Sequence, residues 1–217
     1  MTGADLPRRR APGRPFSAWR GAAAGRYKRG VETACDTLPD LLAEDLAVLF
    51  VGINPSRYSV EQGHYFARPG NRFWPALSRS RLSLAARRAL GVAALDPRHD
   101  AALPPHGIGF TDVVKRATPR ATDLAPGELA AAAPALLAKL RLWRPRVACF
   151  HGVTGYRPFR AAALGLRDGT AAIGSQRETI GATRLFVVPN PSGGNAHFTL
   201  AEQTAWYDRL AEFIEEA

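Results

Sequence analysis

Asn54, set between an apolar run and Pro55, carries a side-chain amide able to hold a water molecule. A residue before proline is pushed to extended geometry, which holds the amide at a fixed angle past the end of its strand. An amide donates and accepts at once, so it can hold a water, but it is no strong base. The same residue also reads as an Asx turn that satisfies local backbone groups. Gly52, just before it, permits close backbone approach. Phe66, in the segment Gly63-His64-Tyr65-Phe66-Ala67, places a large ring where no periodicity asks for one. Such a ring is either a stacking platform for a flat heterocycle, worth roughly 1 to 3 kcal/mol per base, or ordinary loop packing. Asn71, Arg72, Phe73 and Trp74 read as loop anchors and the first turn of a helix. Ser192, Gly193, Gly194 and Asn195 form a small, flexible segment before another helix. Its backbone N–H groups suit phosphates or base edges, although a plain loop leading into a helix has the same composition.

The elements that must position these groups are legible as apolar runs between turn signals. Residues 46–53 predict a buried strand, 107–114 a second, 146–151 a third and 183–189 a fourth. Helices are predicted from Phe73 to about Leu90, over 128–142 with Pro134 as a kink or late start, over 153–164, and over 200–217 with Tyr207, Leu210 and Ile214 on one face. Strands alternating with helices imply a mostly parallel sheet covered on both faces, an α/β fold. Parallel strands deliver their exit loops to one edge, so GINPS (52–56), GFTDVVKRAT (109–118) and PNPSGGNAHFT (189–199) should converge on a single crevice.

Composition narrows the function classes. A chain of 217 residues with 46% apolar and 22% charged residues suits one globular domain. No apolar run is long enough to span a membrane, and the first residues lack a secretory pattern, so a cytoplasmic protein is expected. Cys35 and Cys149 are too few for a disulfide framework or a four-cysteine metal site, and His64, His99, His106, His151 and His197 show no metal-ligand spacing. No metal and no cofactor are expected. Residues 1–30 hold eight basic side chains against one acid, so +7 of the net +10 charge lies there. Residues 1–35 are expected to be a flexible basic tail, either simply solvated or in contact with a polyanion, and 36–217 the folded domain.

Taken in order, GINPS, GHYFARPGNRFW, GIGFTDVVKRAT, RPRVACFHG and PNPSGGNAHF resemble the mismatch-specific uracil and thymine DNA glycosylases of the uracil-DNA glycosylase superfamily. The resemblance runs from about Leu46 to the C-terminus. It implies a three-layer α/β/α sandwich around a central four-stranded parallel sheet. It implies a monofunctional, cofactor-free enzyme, a monomer, that flips uracil, or thymine and other damaged bases, out of mismatched double-stranded DNA. The enzyme hydrolyses the N-glycosidic bond and so begins base excision repair in association with the nucleoid. By the same resemblance Asn54 orients the attacking water, and Gly52, Ile53, Tyr65, Phe66 and Asn71 form the base pocket. Asn190, Pro191, Ser192, Gly193, Gly194, Asn195 and His197 form the loop that enters the duplex. Asp112, on the second convergent loop, reads as a loop cap, with a contribution of charge to the site as the alternative.

This chain departs from the pattern in places. Ser56 stands where the family usually has glycine, which narrows or rehydrates the turn. Gly194 stands where relatives commonly carry a large aliphatic wedge, and Ala196 where an arginine stands. Glycine cannot fill a hole left by a base, so Asn195 or His197 is expected to plug the stack, or discrimination between paired and unpaired uracil to fall. No carboxylate lies in the GINPS loop, which predicts slow cleavage that depends on the leaving group. A broader uracil or hypoxanthine glycosylase and a DNA-damage binding protein without catalysis are the competing readings. A small-molecule nucleotide-binding protein would want a glycine-rich phosphate loop, which is missing.

Overall fold

The computed structural model describes residues 37–167 and 169–216, so the basic segment expected over residues 1–35 lies outside the described residues. The strands β1 (Val48–Gly52), β2 (Ile108–Asp112), β3 (Val147–His151) and β5 (Thr183–Val188) are the apolar runs anticipated above. The first three are buried at every position, as a parallel strand covered on both faces must be. The sheet has five strands in the order β2-β1-β3-β5-β4. The four predicted strands are mutually parallel, and β4 (Gly174–Ile180) adds to β5 antiparallel. Its sequence, GSQRETI, has no apolar run because only alternate side chains face inward. Its charged side chains blunt the sheet's edge against further pairing.

Successive side chains of each strand point to opposite faces, and the two cores follow that alternation. Phe50, Phe110, Cys149 and Phe186 face one way, onto Phe73, Leu77, Tyr207 and Leu210 from the helices α2 (Phe73–Arg79) and α6 (Leu200–Glu215). Leu49, Val51, Ala148, Phe150 and Leu185 face the other way, onto α4 (Glu128–Trp143) and α5 (Val153–Leu164). The result is the expected α/β/α layering, with a mixed rather than wholly parallel sheet. No helix among the described residues is long and apolar enough to cross a membrane.

Two helical details differ from the sequence reading. A short helix α1 (Arg57–Gln62) follows the first loop, started by Ser56, whose Oγ accepts from the Ser59 N–H at 3.1 Å. Ser56 adopts an extended conformation, so the turn has no need of the glycine usual in the family, and serine is used as a helix cap instead. The single helix expected from Phe73 to Leu90 is broken into α2, a 3₁₀ turn over Arg81–Ser83, and α3 (Leu84–Leu90). Ser80 and Ser83 both donate their hydroxyls to the Leu77 carbonyl, at 2.8 and 2.5 Å, and compete with the helical ladder there. α4 runs through Pro134 without ending.

Gly109 sits mid-strand in β2 for a steric reason. A Cβ at that position would stand 2.5 Å from Leu46 Cδ1 and 2.7 Å from the Leu41 carbonyl oxygen, which accepts from the Phe110 N–H. Gly109→Ala should therefore lower stability by about 1 to 3 kcal/mol in a urea titration. An unchanged midpoint would show that the 41–46 segment yields freely.

Candidate active site

The carboxyl ends of β1, β2 and β3 open into a cleft of about 610 Å³. Past the strand ends the two neighbouring exit loops stay zipped together. Val113 and Val114 donate to the Gly52 and Ile53 carbonyls at 2.9 Å, and around the Ser56–Thr118 bridge the Thr118 N–H donates to the Pro55 carbonyl at 3.2 Å while its carbonyl accepts from the Arg57 N–H at 3.1 Å. This ribbon carries Asn54 under the 116–118 segment.

The Asn54 side chain is fixed in one orientation. Its Nδ2 donates to the Arg116 carbonyl at 3.0 Å and to Thr118 Oγ1 at 2.7 Å. The Thr118 hydroxyl spends its own proton on the Arg120 carbonyl at 2.7 Å, so Oγ1 must accept from Asn54. A flipped amide would set its oxygen against two acceptors. Oδ1 is thereby left as an acceptor on a half-buried residue that lines the cleft. The Asx-turn reading fails, because apart from a 3.3 Å contact with the Pro55 carbonyl these bonds span the fold and use the donor end.

Asp112 ends β2 opposite Gly52 of β1. A Cβ on Gly52 would lie 2.2 Å from Asp112 Oδ1, so any larger residue there would displace the carboxyl from this position. Asp112 is buried, its Oδ2 has no hydrogen-bond partner, and it lines the cleft. It therefore does not cap a loop. Loss of solvent raises its pKa from 3.8 to about 7, against the pull of Lys115 and Lys139 and with the push of Asp40. Those three charges form their own cluster below: Asp40 binds Lys115 Nζ at 2.8 Å and Thr111 Oγ1 at 2.7 Å, and pairs with Lys139. Burial opposes ionisation of Asp40 too, but the two lysines outweigh it and its pKa falls below the ordinary value.

His151 ends β3 on the other side of β1 and also lines the cleft. Its Nε2 meets the Tyr207 hydroxyl at 3.1 Å. Nδ1 lies near the Val51 carbonyl without a hydrogen bond of good geometry. Burial depresses its pKa to about 3, so the imidazole is neutral. Of the buried side-chain atoms without a partner among the described residues, those of Asp112 and His151 belong to this cleft and only Thr183 Oγ1 lies elsewhere. Buried polar atoms left unpaired cost free energy, and two of these three belong to residues that line the cleft.

Phe66 supplies the wall. One face stacks on Phe73 at 4.2 Å between centroids and 20° between planes, its edge region meets His151 at 4.9 Å, and the half-exposed remainder faces the cleft. Its backbone has φ +54°, a conformation costing on the order of 1 to 3 kcal/mol for a bulky residue. The preceding residue is clamped to hold it: the Tyr65 N–H donates to Asp100 Oδ2 at 2.8 Å, and the Trp74 indole donates to the Tyr65 carbonyl at 2.8 Å. Ordinary loop packing does not require such a clamp.

Other sequence-predicted residues divide into two groups. Gly52, Ile53, Tyr65, Asn71, Asn190, Ser192, Gly193 and Gly194 share the cleft with Asn54 and Phe66. Tyr65 does so mainly as support, since its ring stacks on Phe110 and its hydroxyl donates to the Pro39 carbonyl. Asn71 accepts from the Phe73 N–H at 2.9 Å through Oδ1. Pro191, Asn195 and His197 do not line the cleft: Pro191 is buried, Asn195 braces the loop by donating to the Asn190 carbonyl at 2.8 Å, and His197 is exposed. Sequence reasoning gave no site role to His151 or Thr118. The available signal was a polar residue closing a buried strand and a threonine ending a convergent loop.

The sequence profile of the uracil DNA glycosylase superfamily matches residues 39–213. The chain is 31% identical over 182 residues to the G/U mismatch-specific uracil DNA glycosylase of Schizosaccharomyces pombe, a match covering 82% of this chain and 53% of that protein. The chain thus spans about half the length of the curated relative it matches.

Because the folded protein holds the Asp112 proton more tightly than the unfolded chain, stability falls as pH rises from 3.8 and the full penalty is present above about 7. Asp112→Asn should therefore raise the melting temperature at about pH 8 and change it little at about pH 4. A difference that is constant across that range would mean the carboxyl is not a strained group.

Proposed function

The chain belongs to the uracil DNA glycosylase superfamily, and from that premise we propose that it removes uracil from DNA by hydrolysing the N-glycosidic bond. The observation that carries this reading is the Asn54 amide, donor end tied down and acceptor end free in a cleft walled by a strained aromatic ring. The target base leaves its stack at a cost of a few kcal/mol, least for a mispair, and lies against the open face of Phe66. Oδ1 of Asn54 orients a water toward C1′ of the deoxyribose. The bond from C1′ to the base breaks with its electron pair going to the base, and charge develops on the sugar.

The absence of a carboxylate from the GINPS loop predicted slow cleavage without a local base. We assign that base to Asp112 of β2, whose carboxyl lies against Gly52 on the strand that leads to Asn54. Ionised Asp112 takes the proton of the attacking water as the C1′–O bond forms, and its buried charge also stabilises the cationic sugar. The neutral His151 imidazole and the Asn71 amide are the side chains available to bond the base edge. Exposed Arg68 and Arg120 at the cleft mouth suit phosphates. The protein acts as a monomer on double-stranded, uracil-containing DNA, as a cytoplasmic, nucleoid-associated enzyme. Residues 1–35 add nonspecific attraction to the polyanion, and residues 36–217 are the catalytic domain.

Asn54→Ala should lower single-turnover excision from a G·U duplex by about 100-fold or more while leaving binding to that duplex within a few-fold. An unchanged rate refutes the assignment, and retained binding with no excision by the unaltered protein favours a damage-binding role. For the unaltered protein the rate should climb with pH and level off above about 7. In Asp112→Asn that dependence should vanish, with a loss of roughly 10²-fold or more.

Gly194 exposes no side chain to fill the stack. Selectivity for mispaired uracil should accordingly be weak. Excision from G·U, A·U and single-stranded uracil measured side by side should give rates within about tenfold. A strong G·U preference would contradict this.

A further inference from the structure

Arg72 stands at the N-terminus of α2, next to the loop that presents Phe66 and Asn71, yet nearly all its hydrogen bonds go to the 190–198 loop. Its backbone N–H donates to the Pro191 carbonyl at 2.9 Å. The guanidinium donates to the carbonyls of Asn195 at 2.5 Å, Ser192 at 3.2 Å and Phe198, with Gly193 at the limit of bonding at 3.5 Å. No carboxylate pairs with Arg72 among the described residues. The two loops also touch directly, because a Cβ on Gly193 would stand 2.9 Å from the Gly70 carbonyl oxygen.

Carbonyl dipoles that converge on one point repel one another unless a cation sits at the focus. A planar guanidinium with donors along a fork meets several carbonyls at once, whereas an ammonium concentrates its donors at one atom. Drawing the carbonyls inward has a second effect. The N–H groups of Gly193 and Gly194 have no acceptor among the described residues, and both residues are exposed. They are open to an external acceptor, with the positive charge of the Arg72 guanidinium held against the same loop.

We propose that Arg72 is a positioning residue that holds the 190–198 loop in the shape that engages duplex DNA and couples that loop mechanically to the base slot. The proposal rests on the glycosylase reading, and it concerns entry into the duplex rather than bond cleavage. A single strand has no partner strand to separate, so its excision depends far less on this loop.

The test compares single-turnover uracil excision from a G·U duplex and from a single-stranded oligonucleotide for the unaltered protein, Arg72→Ala and Arg72→Lys, with thermal melting of each. In Arg72→Ala the ratio of duplex rate to single-strand rate should fall by about tenfold or more. Arg72→Lys, which keeps the charge and loses the fork, should show a smaller fall in the same direction, with faster amide exchange across 191–198. Should Arg72→Ala fail to fold, the lysine variant decides. Equal losses on both substrates, or no loss, overturn the proposal and leave the glycosylase reading standing. No excision by the unaltered protein on either substrate overturns both.

Discussion

The site depends on the bond between Asn54 Nδ2 and two oxygens that have no proton to offer. The Arg116 carbonyl is an acceptor by nature, and Thr118 becomes one because its hydroxyl is already committed to Arg120. An amide is otherwise ambiguous about which end it presents, and these bonds remove that ambiguity. The constraint spans the β1 and β2 exit loops, so it exists only because those strands are parallel neighbours with aligned ends. Pro55 fixes the backbone, Ser56 starts the next helix, and the zipped loops prevent the amide from swinging away.

The same alignment explains why the floor of the cleft is a place of stored free energy. Gly52 lacks the atom that would exclude Asp112, and the carboxyl occupies that space with one oxygen unpaired. The penalty for ionising it there is on the order of a few kcal/mol, comparable with the net stability of a small domain divided among very few such defects. The two lysines that could relieve it are engaged by Asp40, which ties them into a half-buried cluster of their own rather than leaving them as partners within the site. A carboxyl poised near neutrality is suited to proton transfer, and one fully paired with lysine is not.

Much of this arrangement was legible in the residues. The parallel strands announced themselves as apolar runs closed by glycine, proline or a polar residue, and parallel order alone brought Asn54, Asp112 and Asn190 to one edge. The antiparallel strand β4 was not, because GSQRETI has neither a run nor an apolar alternation, and its place is set by pairing with β5. Nor was the break between α2 and α3, where two serine hydroxyls take one carbonyl. At the site, side chains whose task follows from strand position could be named from the sequence. Those whose task depends on register or on a distant partner could not: Asp112 is defined by its opposition to Gly52, Thr118 by a bond to Asn54, and Arg72 by carbonyls far along the chain.

A common logic links the three segments around the cleft. Each places one group in an unfavourable state, and the fold holds it there through that group's neighbours. Phe66 is kept in a left-handed backbone by the Asp100 carboxylate and the Trp74 indole acting on Tyr65. Asp112 is kept dry by the close approach of Gly52. The carbonyls of the 190–198 loop are gathered against their mutual repulsion by Arg72. A cleft assembled from relaxed parts would close on itself, since its ring would pack, its carboxyl would find a lysine and its loop would turn its N–H groups inward. What keeps it open is that every local relaxation is blocked by a bond made somewhere else in the fold. A ligand offering a flat face, a proton and acceptors for exposed amides satisfies all three at once, which is why the strain in the site describes the shape and chemistry of what it binds.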